Sequence, residues 1–352
     1  MSTTTGWAAE SAESKLAPIE IPRRDVGPLD VRIDIEFCGI CHSDVHTVHN
    51  DWRGTVYPCV PGHEIVGVVA EVGAEVTRHK VGDRVGVGCM VDSCGECPSC
   101  LAGDQNYCER GATMTYNGRD KTGTTPRTFG GYSGSIVVTE GFVVSVPAGL
   151  DPAAAAPILC AGITMFSPLK HHRVSAGSRV GVAGFGGLGS IGVKLAKALG
   201  AEVTVITRSD KKFDEARKAG ADHVLVIDDR SALKQHARSL DVILSTIPTS
   251  HDLGPYLGLL KRDGAYVILG AIEPLTTPIH GGILAGRRVS VTGSMIGGIP
   301  ETQEVLDFCA ANGITSDIQV IGVDGINDAY ENLAGGDPGY RYVIDMATLE
   351  NV

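Results

Sequence analysis

Ten cysteines and eleven histidines are spread unevenly over 352 residues, and the dense places are where chemistry is possible. Cys94, Cys97, Cys100 and Cys108 form C-x2-C-x2-C-x7-C. Four thiolates joined by such short turns can surround a zinc ion tetrahedrally. Ferredoxin-type iron–sulfur runs have a shorter third gap and a proline after the last cysteine, whereas Glu109 follows here. A closed four-cysteine site has no open position, so its expected work is to staple a lobe at about 89–110 rather than to catalyse. The stretch CGICHSDVHTVHNDWRGTVYPCVPGHEIVG, Cys38 to Gly67, is different. Cys41 and His63, with Glu64 next to the histidine, make a partial ligand set that Cys160 in ILCAGIT can complete. Three protein ligands with a place left for water or substrate is the catalytic zinc pattern. Two zinc ions per chain are expected.

A third such place is VGVAGFGGLGSIG, where Gly184, Gly186 and Gly189 form G-x-G-x-x-G around Gly187 and Leu188. Gly184 allows a tight turn, Gly186 lets backbone approach a pyrophosphate, and Gly189 permits close helix–strand packing. The helix that follows presents free N–H groups to the anion. An NAD site usually carries an acid about 20 residues after the first glycine. Here VITRSDKK places Thr207, Arg208 and Ser209 before any acid, and Lys212 adds a second cation. A cation between hydroxyls suits a 2′-phosphate, so NADP(H) is favoured and Asp210 reads as the start of the next helix.

These groups require two kinds of scaffold. In the first 150 residues VRIDIEF alternates Val31, Ile33, Ile35 and Phe37 with polar residues, the period of a half-buried strand. EIVGVVAEVG, DRVGVG and SGSIVVTEGFVVSVP follow between glycine turns, which predicts a mostly antiparallel β domain. At DPAAAAPILCAGITMFSPL the character changes, with Asp151 as N-cap and Pro152 at the first helical position. From Arg179 the strands RVGVAG, EVTVIT, HVLVID, DVILST and AYVILG alternate with helical stretches, and RRVSVTG supplies a sixth. That alternation builds a parallel, doubly wound sheet. GIPETQEVLDFCAANGI reads as a helix started by Pro300 and stopped by Gly313.

A formal charge of −11 argues against nucleic acid as a partner. No apolar run approaches the ~20 residues of a membrane span, and MSTTTGWAAESAESK has neither a basic flank nor an apolar core of a secretory signal. The expected compartment is the cytoplasm, and the cysteines read as metal ligands or reduced thiols rather than disulfides. His49, His79, His171 and His172 read as surface histidines. Cys38, Cys59 and Cys309 read as small buried hydrophobes, and Cys89 as either packing or pocket wall.

In their order, CGICHSD, PGHEIVG, the four-cysteine lobe, LCAGIT and GFGGLG resemble the zinc-dependent medium-chain alcohol dehydrogenases. NDW…YPCVPGHEIVG, SMIGGIPETQE and YRYVID are more narrowly similar to the cinnamyl alcohol dehydrogenase group and its bacterial broad-range aldehyde reductases. The resemblance implies an α/β protein: a GroES-like β-rich catalytic domain over 1–155, a Rossmann NADP-binding domain over 156–295, and 296–352 returning to the catalytic domain. It implies Cys41, His63 and Cys160 as catalytic zinc ligands, Glu64 as an acid that can approach the metal, and Asp44 as the carboxylate orienting a zinc-bound histidine. Ser43 and His46 match a relay that passes the alcohol proton through the ribose to solvent. His42 matches a pyrophosphate contact, and Thr164 lies near the nicotinamide. The pocket positions are Trp52, Cys89, Met295 and Ile296, with Met114 in GATMTYN where plant lignin enzymes have a tryptophan. A homodimer through the Rossmann domain and an active site in the cleft between domains are also implied. The expected activity is NADP(H)-dependent reduction of aromatic and medium-chain aldehydes. The alternatives are a polyol or sugar dehydrogenase of the same superfamily and a non-catalytic zinc- and NADPH-binding redox sensor.

Overall fold

Val31, Ile33 and Ile35 are buried on one face of the strand Asp30–Gly39, as their alternation requires. Phe37 breaks the pattern: it is half-buried, and Cys38 is buried in its place. The cause is a register shift between Ile35 and Phe37 against the neighbouring strand Ile65–Val72. An extra residue on one strand of an antiparallel pair exchanges its faces and bends the chain. That bend leads directly into Cys41.

The computed structural model describes residues 2–270, 274–336 and 339–351. These fall into two compact units, 1–163 with 297–352, and 164–296. In the first unit a seven-stranded sheet runs Ile318–Ile321, Arg341–Asp345, Asp30–Gly39, Ile65–Val72, Arg84–Val87 and Val144–Ser145, with Ser135–Thr139 also paired to Asp30–Gly39. Its pairings are antiparallel except the parallel one between Ile318–Ile321 and Arg341–Asp345. Both strands of that pair come from the end of the chain. The core of this unit accordingly mixes early residues such as Val31, Ile65 and Tyr132 with late ones such as Tyr330 and Ile344. Removing one large aliphatic side chain there, as in Ile33→Ala, costs about 2–5 kcal/mol.

The second unit holds a six-stranded sheet in the order His223–Val226, Glu202–Thr207, Arg179–Ala183, Leu240–Ser245, Leu260–Ile268 and Ser290–Gly293. All its pairings are parallel. Numbered along the chain, the order is 3-2-1-4-5-6, that of a Rossmann sheet. Helix Gly187–Ala198 follows the central strand at once, through Gly184 at φ +90°. Gly189 lies against the carbonyl oxygen of Gly184, where a Cβ would collide. Only glycine permits that turn and that approach.

Local signals hold elsewhere. Asp151 caps helix Pro152–Ala155 by accepting from the N–H of Ala154 at 2.9 Å. Helix Ile299–Asn312 begins with Pro300 in its first turn and ends at Gly313, whose φ of 62° is left-handed. Among the described residues no single helix is long and apolar enough to cross a membrane. The bent pair Pro152–Leu159 and Ala161–His171 passes by length and composition only, and most of its residues are buried in the protein.

His79 departs from expectation. It is buried, not at the surface, and its Nε2–H donates to the carbonyl of Val143 at 3.3 Å. Burial lowers its pKa, only partly opposed by that hydrogen bond. A histidine with a lowered folded-state pKa stabilises fully above the unfolded value of about 6.5 and loses that contribution as pH falls through the folded value. His79→Gln should therefore flatten the loss of stability on acidification. Urea midpoints at pH 7.5 and 5.5 check this: the drop should be smaller in the variant, and equal drops would remove His79 from the titration.

Candidate metal and cofactor sites

Cys41 sits just before helix His42–Val48 in extended conformation, φ −112°. Its N–H donates to Asp44 Oδ2 at 2.8 Å, so a side chain of the first turn fixes the backbone that carries the thiol. His63 and Glu64 immediately precede strand Ile65–Val72, and Cys160 follows the 3-10 turn Ala156–Leu159. One ligand atom from each of Cys41, His63, Glu64 and Cys160 lies within 4.8 Å of every other, and all four residues are buried. Asp44, fully buried, accepts from His63 Nδ1–H at 3.1 Å. The other ring nitrogen, Nε2, is left for the cluster.

The electrostatics of this cluster favour a cation. A hydrogen bond from Cys160 holds the Cys41 thiol well below its ordinary range, and the same bond raises Cys160. Burial works against charge on His63, yet Asp44 and neighbouring thiols hold its pKa well above the usual value. Burial pushes the Glu64 carboxyl up to about 7, against the pull of the Arg341 guanidinium bonded to its Oε1. Its other oxygen, Oε2, is buried with no hydrogen-bond partner among the described residues. Two soft sulfurs, an imidazole nitrogen and a carboxylate oxygen form a donor set that zinc accepts. The residues fit the ion.

The second cluster also fits. The four sulfurs of Cys94, Cys97, Cys100 and Cys108 lie within 4.8 Å of one another, with Cys94 and Cys100 at 3.8 Å. Zn–S bonds of about 2.3 Å place tetrahedral sulfurs about 3.8 Å apart. Hydrogen bonds from the amides of Glu96, Cys100 and Cys94 hold Cys94, Cys97 and Cys108 respectively below the ordinary thiol range. All ten cysteines are free thiols.

In the Rossmann unit, Gly186 caps helix Gly187–Ala198, with Gly187, Leu188 and Gly189 in its first turn. Thr207 ends strand Glu202–Thr207, Arg208 is exposed beyond it, and Ser209 is half-buried. Lys212 bonds Glu215 at 2.8 Å, so its charge is partly spent within its own segment. Asp210 opens a 3-10 turn, Asp210–Lys212. Thr164 is buried in helix Ala161–His171.

Ser43 Oγ lies 3.5 Å from Cys41 Sγ, at the edge of the first cluster. His46 does not meet it: its Nδ1 bonds Asp51 at 2.8 Å, and its ring lies 5.5 Å from that of Trp52 and 6.3 Å from that of His42. Cys89 is buried beside Cys160, its thiol directed to the carbonyl of Leu159 at 4.0 Å. Trp52, Met114 and Met295 are each exposed, at 44%, 39% and 49%. Ile296 is half-buried, with φ +44°, a conformation that strains a β-branched residue.

Comparison with known proteins agrees with this geometry. Residues 27–148 match the alcohol dehydrogenase GroES-like domain and residues 187–311 the zinc-binding dehydrogenase domain. An NADP-dependent alcohol dehydrogenase C of Mycolicibacterium smegmatis is 53% identical over the whole of both chains. The chain belongs to the zinc-binding alcohol dehydrogenase family. A cinnamyl alcohol dehydrogenase (CAD) of Sorghum bicolor superposes with a TM-score of 0.93 at 44% identity, covering 98% of each chain. The CAD of Helicobacter pylori complexed with NADP(H) gives 0.90 at 42%, again over 98% of each.

Within this alcohol dehydrogenase fold, several groups around the first cluster were not singled out by sequence. Arg341, on a strand of the C-terminal segment, is buried against Glu64. Tyr116 is buried, its ring stacked on His63 at 5.6 Å with its hydroxyl 3.5 Å from Thr47 Oγ1. Tyr132 donates to Asp44 Oδ2 at 3.1 Å. Arginine and tyrosine have no metal-ligand spacing to betray them; contact across the fold is their only signal.

Unequal roles for the two clusters would show as unequal variants. Cys41→Ala should leave a folded protein with one zinc per chain and no turnover. Cys100→Ala should lower the unfolding temperature first, because an incomplete four-cysteine site forfeits folding free energy. Metal analysis with thermal melts checks both; one zinc in the wild type would contradict the pairing.

Proposed function

We propose that the protein transfers hydride between NADP(H) and primary alcohols and aldehydes, working mainly as a reductase of aromatic and medium-chain aldehydes. The observation that carries this reading is the buried set Cys41, His63, Cys160 and Glu64, with Ser43 at its edge. When bound, zinc at that set supplies Lewis-acid polarisation of the carbonyl oxygen, and NADPH supplies the hydride.

The chain's own residues bind, orient and move protons. Asp44 fixes the His63 ring so that Nε2 faces the ligand cluster. Arg341 holds Glu64 through Oε1 and so fixes the carboxylate beside the cluster. Ser43 Oγ–H delivers the proton to the substrate oxygen, and His46, half-buried and bonded to Asp51, restores it from solvent. Among the described residues no direct hydrogen bond joins Ser43 to His46. Cys94, Cys97, Cys100 and Cys108 staple their lobe.

The Rossmann unit holds the dinucleotide at the Gly184–Gly189 turn, with Thr207, Arg208 and Ser209 for the 2′-phosphate. A cytoplasmic homodimer fits the same unit. Strand Ser290–Gly293 is an edge of its sheet, with Ser290, Thr292 and Gly293 exposed, and a second copy can pair with it. If Arg208 reads the phosphate, Arg208→Asp should shift the NADPH-to-NADH preference toward NADH by at least about tenfold, since a charged hydrogen bond contributes about 1.5–3 kcal/mol. Relative kcat/KM with the two cofactors measures it; an unchanged ratio would place the phosphate elsewhere.

Substrate preference follows from the positions expected to wall the pocket. Trp52, Cys89 and Met114 are apolar, and Thr47 is already engaged by Tyr116. Little is left to pair the several hydroxyls of a polyol, and a buried hydroxyl without a partner costs about 1–3 kcal/mol. An apolar aldehyde gains about 25 cal/mol per Å² removed from water. Met114 is a flexible wall, tolerant of both chains and rings. We therefore expect kcat/KM with NADPH to be highest for hexanal and cinnamaldehyde and low for acetaldehyde, with little oxidation of sorbitol by NADP. Sorbitol or acetaldehyde as the best substrate would overturn the apolar reading.

A further inference from the structure

Asp44 has zero exposure, and its carboxylate is filled on every side. Oδ1 accepts from the N–H of Gly62 at 3.2 Å and from His63 Nδ1–H at 3.1 Å. Oδ2 accepts from the N–H of Cys41 at 2.8 Å and from the hydroxyl of Tyr132 at 3.1 Å. A carboxylate offers about four acceptor positions, so all are used. Two of the donors are backbone and one is the histidine being oriented. Tyr132 supplies the remaining one.

Tyr132 is itself held. It is fully buried, its N–H donates to Pro61 O at 3.0 Å, and its carbonyl accepts from Trp7 N–H at 2.8 Å. Tyr330, on the C-terminal helix Ile326–Gly335, donates its hydroxyl to that of Tyr132 at 3.4 Å, the rings edge to face at 6.5 Å. Because the carboxylate only accepts, the donors point one way: Tyr330 to Tyr132 to Asp44. Burial pushes both phenols well above their ordinary range, so each keeps the proton it donates.

We propose that Tyr132, backed by Tyr330, is a positioning residue for the catalytic metal site, locking the Asp44 carboxylate in the rotation that aims His63. The inference rests on the metal reading of Cys41, His63 and Cys160 given above. Without the tyrosine hydroxyl, Asp44 Oδ2 keeps one donor, the carboxylate can turn, and the imidazole loses its fixed direction. Outer partners of metal-binding histidines typically contribute 10–100-fold in metal affinity. For a group one step further out we expect about tenfold, the low end of that range.

The four-cysteine cluster is an internal control, since among the described residues no hydrogen bond joins Tyr132 to it. Zinc retention by the isolated enzyme is measured against a graded chromophoric chelator in wild type, Tyr132→Phe, Asp44→Asn and the double variant. Tyr132→Phe keeps the ring and should fold. The expected result is about tenfold weaker binding of the catalytic-site ion only, with the four-cysteine ion nearly unchanged. On the Asp44→Asn background the same change should add much less, because both act through one carboxylate. Unchanged affinity, equal weakening of both ions, or full additivity with Asp44→Asn would each overturn the inference. A wild type that retains a single zinc overturns the metal reading itself, and the inference with it.

Discussion

A buried carboxylate governs this protein's first unit. Asp44 lies beyond the reach of water, and an ionisable group there costs several kcal/mol unless its acceptor positions are filled. Its four donors come from three places along the chain: Cys41 before the first helix, Gly62 and His63 before the second long strand, and Tyr132 beyond the four-cysteine lobe. Satisfying that one group brings these segments together. The same convergence sets Cys41 and His63 at ligand distance, so folding the core and building the proposed metal site are one event.

The C-terminal return completes both. Residues after 297 contribute two strands to the seven-stranded sheet and the helix that carries Tyr330. From one of those strands Arg341 reaches Glu64, and from the helix Tyr330 reaches Tyr132. The carboxylates on either side of His63 in space, Asp44 and Glu64, are thus both tied to the end of the chain. Breaking one partner of a buried ion pair leaves an uncompensated charge, typically at a cost of 3–5 kcal/mol. The proposed catalytic cluster therefore depends on Arg341, 277 positions away from Glu64 in sequence. The four-cysteine lobe, by contrast, is closed within a single short segment.

That contrast explains what could be read from sequence. The four-cysteine spacing, the Gly184–Gly189 turn, the cap at Asp151 and the stop at Gly313 are local, and each is visible because its partners lie within a few residues. Cys41, His63, Glu64 and Cys160 were visible as residue types of the right chemistry, although nothing in their spacing closed the set. Phe37 misled because a bulge inverts strand faces without any mark in the alternation. His79 misled because a histidine in a polar turn looks solvated until Val143 is folded over it. Arg341, Tyr116, Tyr132 and Tyr330 were silent as site groups, being ordinary strand and helix residues whose roles exist only through contact.

The most direct test of the central claim follows the hydride itself. NADPH carrying deuterium at both C4 positions is supplied with hexanal, and the alcohol product is examined by mass spectrometry. The account predicts a single deuterium on the carbinol carbon in the wild type and no labelled alcohol with Cys41→Ala. Alcohol formed without deuterium, or labelled alcohol formed at the wild-type rate by Cys41→Ala, would contradict it.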